Sequence, residues 1–389
     1  MSDVVSDVPV AGFTDEKFAG VRDAFEENLR SGADLGASVA ITLEGETVVD
    51  LWGGWADAER TQPWQKDTIV NVYSTTKTMA ALTALLLADR GQLDLDAPVA
   101  RYWPEFAANG KERVKVSHLL SHSAGLAVWT EKITTPDLYD WDKVTSLLAA
   151  QAPWWEPGTA SGYHAITQGY LIGEVVRRIT GKSIGTFFRE EIAEPLDADF
   201  HIGHGPEHDH RISDLIPPPA GGDLADGDFE PSELLTNFLT NPGLDPLDTR
   251  TRAWRAAEIP AAGGHGNGRS IAEIHTLLAN GGVAKGKRLM SEAGARKALE
   301  PLISGEDLLM GMPVTYAHGF GIGSGLGGDL AEVKRPDSIF WGGYGGSLAL
   351  IDMKARTSFG YAMNKMGLST VGDERTAALA KAMWAALEA

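Results

Sequence analysis

The sequence predicts an α/β fold of the α+β kind, in which strands from both ends of the chain surround a helical insertion. Three observations predict it: a β-hairpin near the start, a run of helical candidates in the middle, and β-rich segments that return near the end. With 389 residues, 43% of them hydrophobic, the chain can bury a substantial core.

The first ninety residues predict two helices and the hairpin. A helix is expected around residues 15–30, and the segment "GASVAITLEGETVVDLWGG" (36–54) predicts two strands joined by a turn at Glu44–Gly45–Glu46. From Ser74 to Arg90 apolar residues recur at helical spacing, and Gly91 stands where a helix end favours a left-handed residue. Ser74 is therefore expected at the N-terminal edge of a buried helix.

Helical candidates separated by loops rich in proline and glycine fill the middle of the chain, where strand signals are scarce. The candidates are residues 114–121, 141–151, 168–180 and 184–192. The run from 216 to 231 contains too much proline and glycine for regular structure, and we interpret it as a surface loop or lid.

The last third of the chain predicts a helix at 270–280, then the β-rich segments "SIFWGG", "SLALIDM" and "TSFGYAMN", and a closing helix at 376–387. This order predicts an α/β domain made of residues 1–94 and 256–389. A helical domain of residues 95–255 is inserted between these parts, and we expect the active site between the two domains.

The composition disfavours several classes of partner and chemistry. Asp and Glu number 53 against 34 Lys and Arg, a net charge of −19 that repels nucleic-acid phosphates and anionic lipids. The sequence has no cysteine, which excludes disulfides, thiolate nucleophiles and iron–sulfur clusters. Residues 1–13 show no export signal, and no apolar run approaches the roughly 20 residues of a membrane span. We therefore expect a cytoplasmic protein that binds neither nucleic acid nor membranes.

The first candidate for chemistry is the motif from Ser74 to Lys77, Ser-Thr-Thr-Lys, at the start of an apolar helix. Three residues along a helix turn by about 300° and rise by about 4.5 Å, so the lysine can fold back beside the serine hydroxyl. Unpaired N–H groups at the helix start disfavour a protonated lysine and stabilise an oxyanion. About one such motif is expected by chance, with a capping serine and a solvated lysine as the alternative. The position before a buried helix favours a nucleophile and its base.

The sequence around this motif resembles a known superfamily. The block "YSTTKTMAALTALLLADRGQLDLDAPVARYWPEF", followed by "VKVSHLLSHSAGL", is similar to the opening of the serine β-lactamases and penicillin-binding proteins. It is most similar to class C β-lactamases and to the related family VIII carboxylesterases, and the similarity runs from about residue 38 to about residue 361. The resemblance implies a β-lactamase-like fold, an antiparallel sheet flanked by helices, that needs neither a cofactor nor a metal.

The resemblance also implies a third catalytic residue. Tyr163 matches the family tyrosine that lies beside the nucleophile, commonly in a Tyr-x-Asn motif, whereas His164 and Ala165 depart from that motif. Without asparagine at position 165, the site lacks the amide that helps to hold a β-lactam side chain. This departure resembles the esterases more than the antibiotic hydrolases.

The third family element is a Lys-Thr-Gly strand, and Trp341–Gly342–Gly343 stands in its place. Resemblance to the esterases implies that these residues bind substrate and that the backbone N–H groups of Ser74 and Tyr344 form the oxyanion hole. Glycines there let the strand approach the acyl group. Because tryptophan replaces the cationic lysine, an uncharged ester suits the site better than a β-lactam carboxylate.

Other motifs carry less weight. No Gly-x-Ser-x-Gly occurs, and residues 323–328 fit a glycine-rich nucleotide loop only formally. The histidines at 118, 122, 201, 204, 208 and 210 lack a metal-binding motif, and we interpret them as structural or surface residues. In "GGHGNGRS" (263–270), we expect His265 or Asn267 to line the cleft.

These observations predict a serine hydrolase, a carboxylesterase for small or short-acyl esters. Ser74 attacks the carbonyl, Lys77 and Tyr163 together accept its proton, and water hydrolyses the acyl-enzyme. A β-lactamase, a D-peptide or amide hydrolase and an acyltransferase are alternatives on the same fold. A ligand-binding protein without catalytic activity is the alternative from another class.

Overall fold

The computed structural model describes residues 8–218 and 231–389. Most of the segment that we interpret as a loop or lid, residues 219–230, lies outside the described residues. The helices are α1 Ala19–Arg30, α2 Thr76–Asp89, α3 Val116–Leu120, α4 Trp141–Ala150, α5 Thr167–Thr180, α6 Ile184–Phe188, α7 Glu233–Thr240, α8 Arg252–Ala256, α9 Gly268–Ala279, α10 Glu292–Arg296 and α11 Glu374–Glu388.

The strands are short in the middle of the chain and longer near its two ends. They are β1 Val10–Thr14, β2 Gly36–Leu43, β3 Glu46–Gly54, β4 Ile69–Asn71, β5 His201–Ile202, β6 Ile212–Ser213, β7 Gly264–Gly266, β8 Val283–Ala284, β9 Lys287–Arg288, β10 Ile303–Glu306, β11 Pro313–Tyr316, β12 Gly321–Ile322, β13 Ser338–Gly342, β14 Leu348–Asp352 and β15 Thr357–Met363.

Nine of the described strands form one sheet in the order β1-β3-β2-β15-β14-β13-β12-β11-β10, and every neighbouring pair is antiparallel. The hairpin β2–β3 joins the C-terminal strands where β2 pairs with β15. The predicted antiparallel sheet, made from both ends of the chain, is confirmed. Strand β1 was not predicted from the sequence.

Helices pack on this sheet at positions where the sequence is small or apolar. Helix α9 lies against β2, β14 and β15, and a Cβ on Gly360 would come within 2.3 Å of the Gly268 carbonyl oxygen. Helices α1 and α11 pack against each other. Beneath them the Asp34 carboxylate accepts hydrogen bonds from Arg375, over 2.9 Å, and from the Tyr361 hydroxyl, and both Asp34 and Arg375 are buried.

Helix α2 is buried from Thr76 to Leu87, as the apolar pattern predicts. It packs against α5, α6 and α10, so it connects the predicted helical domain to the rest of the chain. The domain boundaries at residues 94 and 256 stay a prediction. None of the helices in the described ranges is long and apolar enough to cross a membrane. The cytoplasmic location stays a prediction as well.

Candidate active site

Ser74 lies in a tight turn between a buried strand and α2. Strand β4 ends at Asn71, and a 3-10 turn spans Tyr73–Thr75 before the helix begins. Tyr73 has a φ of 42°, a left-handed conformation that is uncommon for a residue with a side chain, and its N–H donates to Asn71 Oδ1 over 3.0 Å. This turn holds Ser74 half-buried at the edge of the helix, where the sequence predicts it.

Lys77 is almost completely buried, with 1% of its surface exposed. Its Nζ lies 3.0 Å from Ser74 Oγ and donates to the carbonyl oxygens of Ala165 and Ala261, over 2.6 and 3.0 Å. Within residues 8–218 and 231–389 no carboxylate forms an ion pair with it, and burial holds its pKa well below the ordinary lysine value. A neutral amine has two N–H groups for the two carbonyls and one lone pair for the serine proton.

Tyr163 reaches the same serine from the loop that precedes α5. Its hydroxyl donates to Ser74 Oγ over 2.6 Å, and burial raises the pKa of the phenol. The Lys77 Nζ lies 4.9 Å from the centre of the Tyr163 ring. The three residues that the sequence predicts as a catalytic group are therefore brought together around one oxygen atom.

The predicted oxyanion donors lie on either side of a close backbone contact. A Cβ on Gly343 would lie 2.1 Å from the Val72 carbonyl oxygen, so only glycine lets β13 run this close to the serine turn. The ring of Tyr344 contacts that of Tyr73, with 5.7 Å between their centres. In the described part of the chain, the N–H groups of Ser74 and Tyr344 donate no hydrogen bond, which leaves both free for an oxyanion.

The turn that carries Tyr344 is held by hydrogen bonds from the buried ion pair of Asp34 and Arg375. The guanidinium of Arg375 donates to the Gly345 carbonyl oxygen over 2.6 Å and to the Lys365 carbonyl oxygen over 2.7 Å. Since Asp34 orients the same guanidinium, this buried charge supports the position of the Tyr344 N–H.

His122 is buried beside Tyr163 and Trp341, which fits the structural role that the sequence predicts, although sequence reasoning missed these contacts. Its ring stacks on Trp341, with centres 5.2 Å apart, and lies 5.1 Å from the Tyr163 ring. Burial lowers the pKa of His122 well below its ordinary value, and its Nδ1 accepts from the His164 N–H over 3.0 Å. It is a neutral packing residue that fixes Trp341 and Tyr163, and the spacing of His118 and His122 carried no signal of this contact.

Asp307 is the second residue that sequence reasoning missed. It is fully buried in the turn between β10 and β11, and its carboxylate accepts hydrogen bonds from the Tyr163 N–H, over 3.0 Å, and from the Tyr316 hydroxyl, over 3.1 Å. The Leu308 N–H also donates to the Ser161 carbonyl oxygen over 2.9 Å. The turn thus attaches the sheet to the loop of Tyr163. An aspartate in a turn is too common a pattern to reveal this.

The prediction that His265 or Asn267 lines the cleft is wrong. His265 is completely buried on β7, where it pairs with Asn71 behind the serine turn. Asn267 is also buried and caps α9 by accepting from the Ser270 N–H. Among the described residues, no group of three His, Asp or Glu side chains could hold a metal ion.

Comparison with known proteins identifies the family of the chain. A family model described as Beta-lactamase matches residues 21–383. The esterase/beta-lactamase LipL of Mycobacterium tuberculosis (strain ATCC 25618 / H37Rv) is 34% identical over 354 residues, which cover 85% of this chain and 80% of that protein.

Two solved structures are similar over nearly their whole length. The crystal structure of a family VIII carboxylesterase has a TM-score of 0.91 and 43% identity, and the match covers 97% of this chain and all of that one. A penicillin-binding protein homologue from Caulobacter crescentus has a TM-score of 0.89 and 37% identity, with the same coverage. The fold and the resemblance that the sequence predicts are confirmed, and the chain belongs to the Beta-lactamase family.

Proposed function

We propose that the protein is a carboxylesterase that cleaves small uncharged esters through an acyl-enzyme on Ser74. The observation that carries this proposal is the position of Ser74 Oγ, 3.0 Å from Lys77 Nζ and 2.6 Å from the Tyr163 hydroxyl. The esterase relatives support it, since a family VIII carboxylesterase and LipL match most of the chain.

The hydrogen bonds around Lys77 support it as the base that takes the serine proton. Two carbonyl oxygens occupy its N–H groups, so the lone pair of the neutral amine is left for Ser74. Ser74 Oγ then forms a bond to the ester carbonyl carbon, and the carbonyl oxygen becomes an oxyanion held by the N–H groups of Ser74 and Tyr344.

Tyr163 supplies the proton that the departing alcohol needs. Its raised pKa keeps the phenol protonated at neutral pH, and its hydroxyl already faces Ser74 Oγ. The bond between the carbonyl carbon and the alcohol oxygen breaks as that oxygen takes the proton. The proton that Lys77 gained from Ser74 then passes to the phenolate, so the pair is restored. Water repeats the same steps on the acyl-enzyme.

Trp341 and Ala165 support an uncharged substrate. Trp341 stands where the β-lactamase pattern has a cationic lysine, and Ala165 stands where it has a polar asparagine. Trp341 packs against Tyr163, with ring centres 5.8 Å apart. A substrate carboxylate at this place would be desolvated without a cation to pair with it. A site without this cation favours ester hydrolysis over β-lactam hydrolysis.

Pre-steady-state hydrolysis of p-nitrophenyl acetate tests the proposal. We expect a burst of p-nitrophenol equal to the enzyme concentration, and a mass increase of one acetyl group on the quenched enzyme. Ser74→Ala should abolish both, whereas Ser123→Ala is the matched control, because Ser123 is a buried serine bonded to Ser121. A labelled Ser74→Ala enzyme, or wild type without any label, would overturn the proposal and favour a ligand-binding protein.

A further inference from the structure

Tyr163 lines an apolar cavity whose described lining includes no residue of the serine turn. Its wall contains Trp341 together with the apolar side chains of Met310, Met312, Val314, Leu326 and Val371. The cavity volume is about 50 Å³, and the cavity opens to solvent. In the described part of the chain no charged side chain lines it, although 22% of the residues in the sequence are charged.

The position of the cavity relative to the reacting atoms indicates which part of a substrate it receives. Tyr163 and Gly342 border it, whereas Ser74, Lys77 and Tyr344 do not. In the tetrahedral intermediate, the oxyanion points toward the N–H groups of Ser74 and Tyr344, and the alcohol oxygen lies at the proton donor, Tyr163. The group attached to that oxygen must continue past the phenol.

We propose that this cavity is the subsite for the alcohol part of the ester and that it selects uncharged, apolar alcohols. The proposal rests on the function proposed above, because it needs Tyr163 as the donor to the leaving oxygen.

The engaged Tyr316 hydroxyl and the apolar side chains of the wall support an apolar occupant. The Tyr316 hydroxyl is engaged with Asp307 and cannot serve a ligand without losing that bond. A charged alcohol, such as an amino alcohol, would give up its hydration for walls of methionine, valine and leucine. The two methionine side chains are flexible, so the subsite can adapt to aryl and to branched alkyl groups.

A second apolar cavity offers the competing arrangement. Val128, Trp129, Ala165, Phe238 and Leu239 line it, and Ala165 is the residue whose carbonyl oxygen binds Lys77. Phe238 contacts the Tyr163 ring, with 6.3 Å between centres, so the two cavities lie near the same phenol. An experiment must therefore separate the alcohol side of the substrate from the acyl side.

Two ester series make that separation. In the first, the acyl group is always acetyl and the alcohol grows from ethyl to butyl, phenyl and naphthyl. In the second, the alcohol is always ethyl and the acyl chain grows from acetyl to hexanoyl. Every ester of the first series gives the same acetyl-enzyme, so the hydrolysis of that intermediate is identical for all of them. Differences in kcat/KM within this series therefore report the acylation step alone.

Val314→Phe fills the subsite, and we expect it to lower kcat/KM for the phenyl and naphthyl acetates by about tenfold or more relative to ethyl acetate. In this variant the rate of acetyl-enzyme hydrolysis should equal that of wild type. The ranking of kcat/KM values within the acyl series should also be unchanged. Met312→Ala enlarges the subsite and should favour the naphthyl ester, which keeps the test valid if the phenylalanine variant does not fold. Leu239→Ala, in the second cavity, is the control and should leave the alcohol series unchanged.

If Val314→Phe changes the kcat/KM values of the acyl series and leaves those of the alcohol series unaffected, the proposal is overturned and the cavity is assigned to the acyl group. Faster cleavage of choline or aminoethyl acetate than of butyl acetate would overturn it as well. Neither result touches the acetyl-enzyme burst on Ser74, so a wrong subsite and a wrong function are distinguished.

Discussion

The carboxylate of Asp307 accepts a 3.0 Å hydrogen bond from the backbone N–H of Tyr163, although the two residues are 144 positions apart. Asp307 forms no ion pair with a lysine or arginine in residues 8–218 and 231–389. A buried carboxylate without a cation is costly, so its hydrogen bonds must hold it, and they also hold the Tyr163 loop in place.

Asp307→Asn should therefore impair catalysis by loosening Tyr163. We expect kcat for p-nitrophenyl acetate to fall about 10- to 100-fold with a smaller change in KM, because the phenol is displaced from the serine. Burial raises the pKa of Tyr163 and the charge of Asp307 adds a smaller increase, so the alkaline limb of the pH–rate profile should move slightly to lower pH.

Glu306→Gln is the control for this variant, since Glu306 is the exposed neighbour of Asp307. An Asp307→Asn enzyme with wild-type kcat and an unmoved alkaline limb would show that the contact is dispensable. A loss of thermal stability alone, without either kinetic change, would assign Asp307 a purely structural role.

Replacement of Lys77 should show whether this residue acts as a base or as a buried cation. We expect Lys77→Met to lower kcat about 10²- to 10⁴-fold, and Lys77→Arg to restore none of it, because a guanidinium does not lose its proton at neutral pH. Stopped-flow measurement of the acetylation burst checks this directly. Recovery of the burst in Lys77→Arg would show that charge, and not proton transfer, is what position 77 supplies.

Lys111 provides the matched control for that experiment. It too is buried, its Nζ donates to the carbonyl oxygens of Ala108 and Gln151, and burial lowers its pKa to about 8. Lys111→Met should lower the unfolding midpoint in urea and leave the burst intact. A lost burst in a folded Lys111→Met enzyme would show that the loss in Lys77→Met is not specific to the lysine beside Ser74.

Acid should destabilise the fold as the pH falls below about 6.5, the ordinary pKa of histidine. Burial lowers the pKa of His164, His204 and His275 to about 4, and holds those of His122 and His265 well below the ordinary value. The unfolded chain binds these protons first, so the stability that is complete above pH 6.5 is lost as the pH falls toward 4.

Urea unfolding at pH 8, 6 and 5 measures this effect. Each histidine should contribute up to about 1.4 kcal/mol per pH unit within that window. Asp34, Glu258 and Glu273, whose pKa burial raises, act in the opposite direction but are fewer than the histidines. His275→Gln should reduce the slope by the share of one histidine, and equal free energies of unfolding at pH 8 and pH 5 would contradict the prediction.

Gly343→Ala should damage the oxyanion hole. The added methyl group would lie 2.1 Å from the Val72 carbonyl oxygen, so β13 must move away from the serine turn and take the Tyr344 N–H with it. Since loss of one oxyanion donor costs about 10²- to 10³-fold in kcat, we expect a decrease of that size. Gly243→Ala is the control, because its nearest neighbour would be the Thr240 oxygen at 3.9 Å, and it should be almost silent. An unchanged kcat in Gly343→Ala would exclude Tyr344 as a donor.

The sequence predicted those features that depend on neighbouring residues. The hairpin β2–β3 follows from alternation and a turn, and the contact between Ser74 and Lys77 follows from one turn of helix. The contact of Tyr163 with Ser74 joins positions 89 residues apart, and only the family resemblance pointed to it.

Features that arise from long-range packing were missed. Strand β1 is short and exposed around Gly12, so its order comes from pairing with β3 and not from its own composition. The roles of Asp307 and His122 depend on partners brought in by separate loops, and their side chains look ordinary in the sequence. Such contacts leave no periodic pattern for sequence reasoning to detect.

The pairing of β2 with β15 also has a consequence for biosynthesis. The Thr357 hydroxyl donates to the Thr42 carbonyl oxygen, a bond between positions 315 residues apart. The hairpin β2–β3 therefore leaves the ribosome long before β15 is synthesised. The apolar edge of β2 stays unpaired while most of the polypeptide is translated. Such an edge invites aggregation, so the newly made chain should depend on chaperones far more than the finished enzyme does.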